Sequence, residues 1–230
     1  MIFKNSAPPS LRLGLVVAQG VNPLAPSGRL DIELSERLHG VLSGGLSPQE
    51  DTYRSEIRDI FRNGSYKPTG RSKPASEYLL RAASEGTFPR INTLVDCCNY
   101  LSLSSLLPIS IWDVEKAGTE SFEFRLGRAD ESYIFNASGH AIMLKDLVVG
   151  CATFPDLSSR PIINGVKDSM GTKTDDGSLV VAAAVYAPMH DGPERSLEWV
   201  CSTFVDILCG TAPSASASFQ IISSDATAHF

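Results

Sequence analysis

An apolar run from Leu179 to Tyr186 limits the possible folds more than any other stretch of this chain. Its sequence, LVVAAAVY, has no charged residue and does not alternate between polar and apolar positions. A strand of this kind must be covered on both faces, so we predict that it is a central strand of a sheet. The run is also far too short to cross a bilayer as a helix.

Most segments before this run have the spacing of helices. Apolar residues recur every three or four positions in Leu30–Ser43 and in Gln49–Arg62. A third helix is predicted to begin near Pro74, with Ser72 as a candidate cap. A fourth is predicted to follow a cap at Asn92 and to end before Pro108.

The second half of the chain is rich in strand patterns. Strands are predicted at Leu11–Val17, Ser121–Leu126, Tyr133–Asn136, Leu147–Thr153 and Pro161–Asn164. A last helix is predicted at Leu197–Leu208, and the tail 211–230 is expected to form a short strand at Phe219–Ile222 or to fray. We therefore predict one α+β domain over residues 1–230, with a core at about 11–210 and a mostly antiparallel sheet packed against helices.

Charge and composition limit the classes of function. The formal net charge of −6 disfavours binding along a nucleic-acid backbone, so no DNA partner is expected, whereas a single nucleotide end or a small molecule remains compatible. The odd number of cysteines, five, and the absence of a C-x-x-C pair argue against a disulfide framework. None of the four histidines lies near a cysteine pair, so no metal is expected. No cofactor is expected either. No nucleotide-binding glycine loop occurs, so ATP-dependent ligation is not expected. Without a long apolar segment or a signal sequence, the expected location is the cytoplasm, with no membrane partner.

Several segments in a fixed order resemble free-standing B3/B4 domain proteins, which are related to the tRNA-binding domain in the β subunit of phenylalanyl-tRNA synthetase. The resemblance extends over roughly Leu11 to Leu208. The segments that carry it are Arg71-Ser72, Ser76–Arg81, Phe88–Asp96, Asn99-Tyr100, Leu107-Pro108, Val166–Ser169 and Thr172–Thr174.

The resemblance implies a B3/B4-like fold and a pocket that receives the amino-acid-bearing 3′ end of a tRNA. In the synthetase this pocket hydrolyses wrongly formed tyrosyl-tRNA. Three functions remain open for this chain. It is an aminoacyl-tRNA 3′-end binder, with hydrolysis of mischarged tRNA as the candidate activity, or a protein that acts on a small amino-acid-derived molecule in the same pocket without tRNA, or a non-catalytic interaction module.

The resemblance also identifies four candidate pocket positions. Asn99 lies where the synthetase domain has a pocket asparagine, although a helical asparagine can instead bond to nearby backbone. Cys98 lies where the synthetase often has threonine, and without an adjacent base it is favoured as a small buried side chain rather than a nucleophile. Ser110 and Ala182 stand where the bacterial editing domain has a histidine and a glutamate. Their replacement puts hydrolysis by the bacterial arrangement in doubt, since those groups would orient or activate water.

A loop before the apolar run supplies the remaining candidates. Asp168, Ser169 and Lys173 offer a carboxylate, a hydroxyl and an ammonium group that together could bind both ends of an amino acid. Neighbouring charges of this kind also change each other's pKa values, so Asp168 and Ser169 are candidate catalytic groups. The alternative is a solvated turn in which Asp and Ser stabilise the backbone.

Overall fold

The computed structural model describes residues 1–230 and contains eleven strands, six helices and two short 3₁₀ turns. The strands are β1 (Ile2–Asn5), β2 (Arg12–Gln19), β3 (Ile109–Asp113), β4 (Ser121–Leu126), β5 (Ser132–Ile134), β6 (Ala141–Met143), β7 (Val148–Thr153), β8 (Ser159–Asn164), β9 (Val180–Ala187), β10 (Ser216–Ile222) and β11 (Thr227–His229). The helices are α1 (Gly28–Gly44), α2 (Pro48–Ile60), α3 (Ala75–Ser84), α4 (Thr93–Ser105), α5 (Val114–Ala117) and α6 (Leu197–Cys209). The 3₁₀ turns lie at Gly70–Ser72 and Met170–Thr172.

The predicted apolar strand lies inside a four-stranded antiparallel sheet with the order β10-β2-β9-β3. Strand β9 pairs with β2 on one side and with β3 on the other, so its central position is confirmed. Helix α6 packs against β2 and β10. Gly14 in β2 permits this approach, because a Cβ atom there would lie 2.4 Å from the Cys201 Sγ atom.

A second sheet has the order β11-β1-β4-β7-β8, and only its β1–β4 pair is parallel. Trp112 of the first sheet makes edge-on ring contacts with Phe3 and Phe122 of the second, at centroid distances of 6.2 and 5.3 Å. These contacts join the two sheets within one core of 53 buried hydrophobic residues. Antiparallel pairing therefore dominates, and the predicted α+β class is confirmed.

The two ends of the chain contribute more strands and more buried residues to the fold than the sequence predicted. Strand β10 pairs with β2 along its whole length, and β11 pairs with β1. Phe3 and Ala228 are fully buried, so the core extends beyond the predicted range of 11–210 at both ends. Of the two alternatives expected for the tail, the strand at Phe219–Ile222 is confirmed as part of the longer β10, and fraying is wrong because the tail completes both sheets.

The helix starts follow ordinary capping chemistry, with one exception. The Asn92 side chain accepts a hydrogen bond from the Val95 N–H at 3.1 Å, so the predicted cap of α4 is confirmed. Ser72 does not cap α3; it lies in a 3₁₀ turn, and Pro74 occupies the N-cap position without a side-chain bond. None of the helices has both the length and the apolar composition needed to cross a membrane.

Candidate functional site

A cleft of about 450 Å³ opens between helices α3 and α4, strand β3 and the loop before β9. Its wall is mostly apolar. The lining residues are Ala75, Tyr78, Leu79, Ile91, Val95, Cys98, Asn99, Ile109, Ile111, Val166, Lys167, Asp168, Lys173 and Thr174. A volume of this size suits a small ligand or the end of a larger one, since such sites typically measure about 300 to 1,000 Å³.

Asp168 is the only carboxylate that lines the cleft. Its Oδ1 atom accepts hydrogen bonds from the Ser110 hydroxyl at 2.8 Å and from the Asn164 backbone N–H at 3.2 Å. Burial raises the pKa of Asp168 from 3.8 to about 7, although these bonds and the charge of Lys173 act in the opposite direction. A carboxyl group with this pKa exists in both protonation states near neutral pH and can therefore take up or release a proton there.

Ser110 lies beneath Asp168, on β3. Its hydroxyl is also 3.0 Å from the Asn164 carbonyl oxygen and 3.4 Å from the Tyr186 hydroxyl. Burial raises the pKa of Tyr186 well above its ordinary value, with the charge of Asp168 as a further cause, so the phenol stays neutral. The carboxyl group of Asp168 is thus fixed by neutral donors from below.

The loop that carries Asp168 is held in place by Asn164. The Asn164 Oδ1 atom accepts hydrogen bonds from the N–H groups of Val166 and Lys167, each at 2.8 Å. Gly165 lies against Phe61 so closely that a Cβ atom at this position would be 2.4 Å from the aromatic ring. The loop conformation therefore depends on close packing as well as on hydrogen bonds.

Two lysines at the cleft hold the hairpin formed by β5 and β6. The Lys167 Nζ atom lies 4.2 Å from the centre of the Phe135 ring, and the Lys173 Nζ atom donates to the Phe135 carbonyl oxygen at 3.1 Å. Neither lysine forms a salt bridge with a carboxylate, and Asp168 is partly protonated at neutral pH. The cleft is therefore positive on balance, although the whole chain has a net charge of −6.

Helix α4 contributes the two remaining polar groups. Asn99 is half-buried, and its side-chain amide has no hydrogen-bond partner elsewhere in the chain, which leaves both the donor and the acceptor open to the cleft. The Cys98 thiol is 3.6 Å from the Ile109 carbonyl oxygen, and burial raises its pKa well above its ordinary value. Cys98 is therefore a protonated, poorly nucleophilic wall residue.

Four of the seven candidate residues named from the sequence line this cleft: Cys98, Asn99, Asp168 and Lys173. Ser110 contacts the cleft only through Asp168. The remaining two lie outside the lining. The Ser169 hydroxyl accepts a hydrogen bond from the Gly171 N–H at 3.2 Å, as in a solvated turn, and Ala182 is buried within β9 opposite Trp112.

Sequence reasoning missed Lys167, Asn164, Tyr133 and Tyr186. A signal existed for Tyr186, because its hydroxyl is the only side-chain polar group in an otherwise apolar run. Asn164 and Tyr133, which hydrogen-bond to each other, gave no such signal because they are 31 residues apart. No three His, Cys, Asp or Glu side chains lie close enough together to hold a metal ion.

The fold and the cleft define an α+β domain with one mostly apolar binding site. The family model described as the B3/4 domain matches residues 67–189, which include every residue of the cleft lining. The match covers more than half of the chain, and the chain therefore belongs to the B3/4 domain family.

A comparison with curated proteins finds no match. Among solved structures, the chain is similar to an N-terminal fragment of the phenylalanyl-tRNA synthetase β subunit from Pyrococcus horikoshii, with 8% sequence identity and a TM-score of 0.41. The match covers 89% of this chain and 46% of that fragment, so this chain spans less than half the length of its neighbour.

Proposed function

We propose that the cleft binds the amino-acid-bearing 3′ end of an aminoacyl-tRNA and that Asp168 promotes hydrolysis of the ester bond. The observation that carries the proposal is the Asp168 carboxyl group, which has a pKa of about 7 and opens into an apolar cleft of about 450 Å³. Membership of the B3/4 family supports the choice of substrate, because the resemblance noted above implies a pocket for this end of a tRNA.

The proposed reaction is a general base-catalysed hydrolysis. The Asp168 carboxylate takes a proton from water as the water oxygen attacks the ester carbonyl carbon. The bond between that carbon and the ribose oxygen then breaks, and the proton passes from Asp168 to the departing oxygen. A base with a pKa near the working pH suits both transfers, and proton transfer of this kind contributes roughly 10²- to 10⁴-fold to the rate.

The other polar groups of the cleft bind the substrate in this scheme. Lys173 lies close enough to Asp168 that its charge lowers the pKa of that carboxyl group. Its ammonium group can therefore also face the carbonyl oxygen of the ester, on which negative charge develops as water attacks. The free amide of Asn99 can bond to the amino or carbonyl group of the aminoacyl moiety. Ser110 is a positioning residue because it holds the Asp168 Oδ1 atom and lies beneath the cleft surface.

A panel of correctly and incorrectly charged tRNAs tests this proposal. We expect the wild-type protein to release the amino acid from at least one mischarged tRNA, with a rate that rises through pH 7 and reaches a plateau above it, because the base must be ionised. Asp168→Asn should lower that rate by about 100-fold or more. Asp156→Asn, in an exposed turn, is the matched control and should leave it unchanged. No deacylation of any tRNA, or an undiminished rate in Asp168→Asn, would contradict the proposal.

A second candidate is a protein that acts on a small amino-acid-derived molecule without tRNA. The net charge of −6 favours it, because an acidic surface repels a long RNA backbone. Thermal unfolding in the presence of amino acids, amino-acid esters and dipeptides separates the two candidates. A saturable rise in unfolding temperature with these compounds, together with no effect of charged tRNA, would favour the second.

A further inference from the structure

A second depression of about 300 Å³ adjoins the cleft. Tyr78 lines both, and this residue is 38% exposed. The residues around the depression are Arg54, Gly70, Lys73, Glu77, Tyr78, Leu80, Arg81 and Ser84. In contrast to the mostly apolar lining of the cleft, only two of these eight residues are hydrophobic, and three of the side chains are cationic.

Glu77 is the only carboxylate in this depression, and its charge is already neutralised. Both carboxylate oxygens accept hydrogen bonds from Arg58, the Arg54 Nη1 atom is 3.4 Å away, and the Lys73 Nζ atom is 3.8 Å away. The Glu77 side chain is only 6% exposed, so a bound ligand would meet the surrounding cations rather than the carboxylate.

The neighbourhood as a whole has an excess of positive charge. Arg71 is exposed at the edge of the depression and forms no salt bridge. Burial raises the pKa of Tyr78, and the charge of Arg71 opposes that rise, so Arg71 acts on a residue that lines the depression. Arg81 pairs with Glu85 at 2.8 Å, but its side chain is 73% exposed, so this pair is weak. The neighbourhood contains six cations and four carboxylates, which leaves an excess of two positive charges. The cations are Arg54, Arg58, Arg62, Arg71, Lys73 and Arg81, and the carboxylates are Asp51, Asp59, Glu77 and Glu85.

We propose that this depression binds a phosphate group of the ligand whose other end occupies the cleft. Arginine forks and a lysine are the side chains that bind phosphate most readily, through short charge-assisted hydrogen bonds. The shared wall at Tyr78 means that one molecule can reach both sites. The identity of the ligand rests on the function proposed above, because a tRNA end has a phosphodiester on the 5′ side of its acylated nucleoside. Phosphate binding itself does not depend on that function.

Inorganic pyrophosphate tests the site independently of the cleft. At constant ionic strength, pyrophosphate should raise the unfolding temperature of the wild-type protein in a saturable manner. The double variant Lys73→Gln/Arg81→Gln should lose at least half of that shift, whereas Arg128→Gln, which removes an exposed arginine without a salt bridge elsewhere, should retain it. No saturable shift in the wild-type protein, or an equal shift in the double variant, would refute the site.

Two adenosine analogues carrying a 3′-amide-linked amino acid, one with and one without a 5′-phosphate, test the link to the cleft. The phosphate should tighten binding to the wild type by about tenfold, as expected for one charge-assisted hydrogen bond. The gain should fall below about twofold in the double variant, while affinity for the unphosphorylated analogue stays the same. Equal binding of both analogues to the wild type would refute the proposal that one ligand occupies the phosphate site and the cleft together. If neither analogue binds, the function proposed for the cleft fails, and the pyrophosphate result alone decides the phosphate site.

Discussion

Replacement of Asp168 by asparagine should make the protein more stable at neutral and alkaline pH. The asparagine Oδ1 atom can still accept the hydrogen bonds from Ser110 and from the Asn164 N–H, so the local contacts are retained. The change removes only the ionisable group, which burial holds at a pKa of about 7 instead of 3.8. The comparison therefore measures the free energy that the folded protein loses when this carboxyl group ionises.

The sign of this stability difference follows from the linkage between folding and proton binding. Because the folded-state pKa is higher than the unfolded-state pKa, the folded protein binds more protons between about pH 4 and pH 7, and its stability falls as pH rises across that range. The full pKa rise corresponds to about 4 kcal/mol, at about 1.36 kcal/mol for each pKa unit. Between about pH 5 and pH 8 the stability difference between Asp168→Asn and wild type should grow by about 2 to 3 kcal/mol in favour of the variant.

Urea unfolding at several pH values measures this difference. Titrations elsewhere in the molecule occur in both proteins and cancel. Around Asp168, burial raises the pKa values of Cys98 and Tyr186 far above this range, so neither group contributes. Stability curves of wild type and variant that run parallel from about pH 5 to pH 8 would show that the Asp168 carboxyl group has an ordinary pKa, and its proposed role as a base near neutral pH would then lose its support.

Three further results are expected. Gly165→Ala should destabilise the protein by about 1 to 3 kcal/mol in urea unfolding, because the new Cβ atom would lie 2.4 Å from Phe61. Gly40→Ala, on an exposed helix position with no atom nearby, should instead stabilise the protein by about 0.5 to 1 kcal/mol. Equal effects of the two changes on stability would contradict the packing account. Removal of residues 216–230 should abolish the cooperative unfolding transition seen by circular dichroism, since β10 and β11 complete both sheets; a truncated chain that still unfolds cooperatively would refute this. In the native protein a chromogenic disulfide reagent should titrate one thiol rapidly, because Cys209 is the only cysteine that is not buried, and two or more fast thiols would contradict the burial described here.

Local patterns in the sequence predicted most of the regular elements. The apolar run ending at Tyr186 and the cap at Asn92 each depend on residues that are adjacent or one turn apart, so their physics is visible in a short window. Strands β1 and β11 were missed because each is very short and gains its stability by pairing with a distant segment. Their residues alone give no sign of that partner.

The residues of the cleft were likewise predictable where the signal is local and were missed where it depends on distant contacts. The sequence indicated that Asn99 and Asp168 belong to one site, and both line it. The contact between Ser110 and Asp168 joins residues 58 positions apart, and the raised pKa of Asp168 arises from the tertiary environment. Lys167 was overlooked because a lysine in a loop is ordinarily solvated, whereas this lysine lines the cleft and lies over the Phe135 ring.

The pairing of strands from opposite ends of the chain affects how the protein is made in the cell. While the ribosome is still adding residues 216–229, strands β1 and β2 have no partner on one side. Open strand edges of this kind pair readily with other polypeptides. The nascent chain therefore passes through an aggregation-prone interval whose length is set by the speed of translation, and chaperones that shield strand edges should improve its yield.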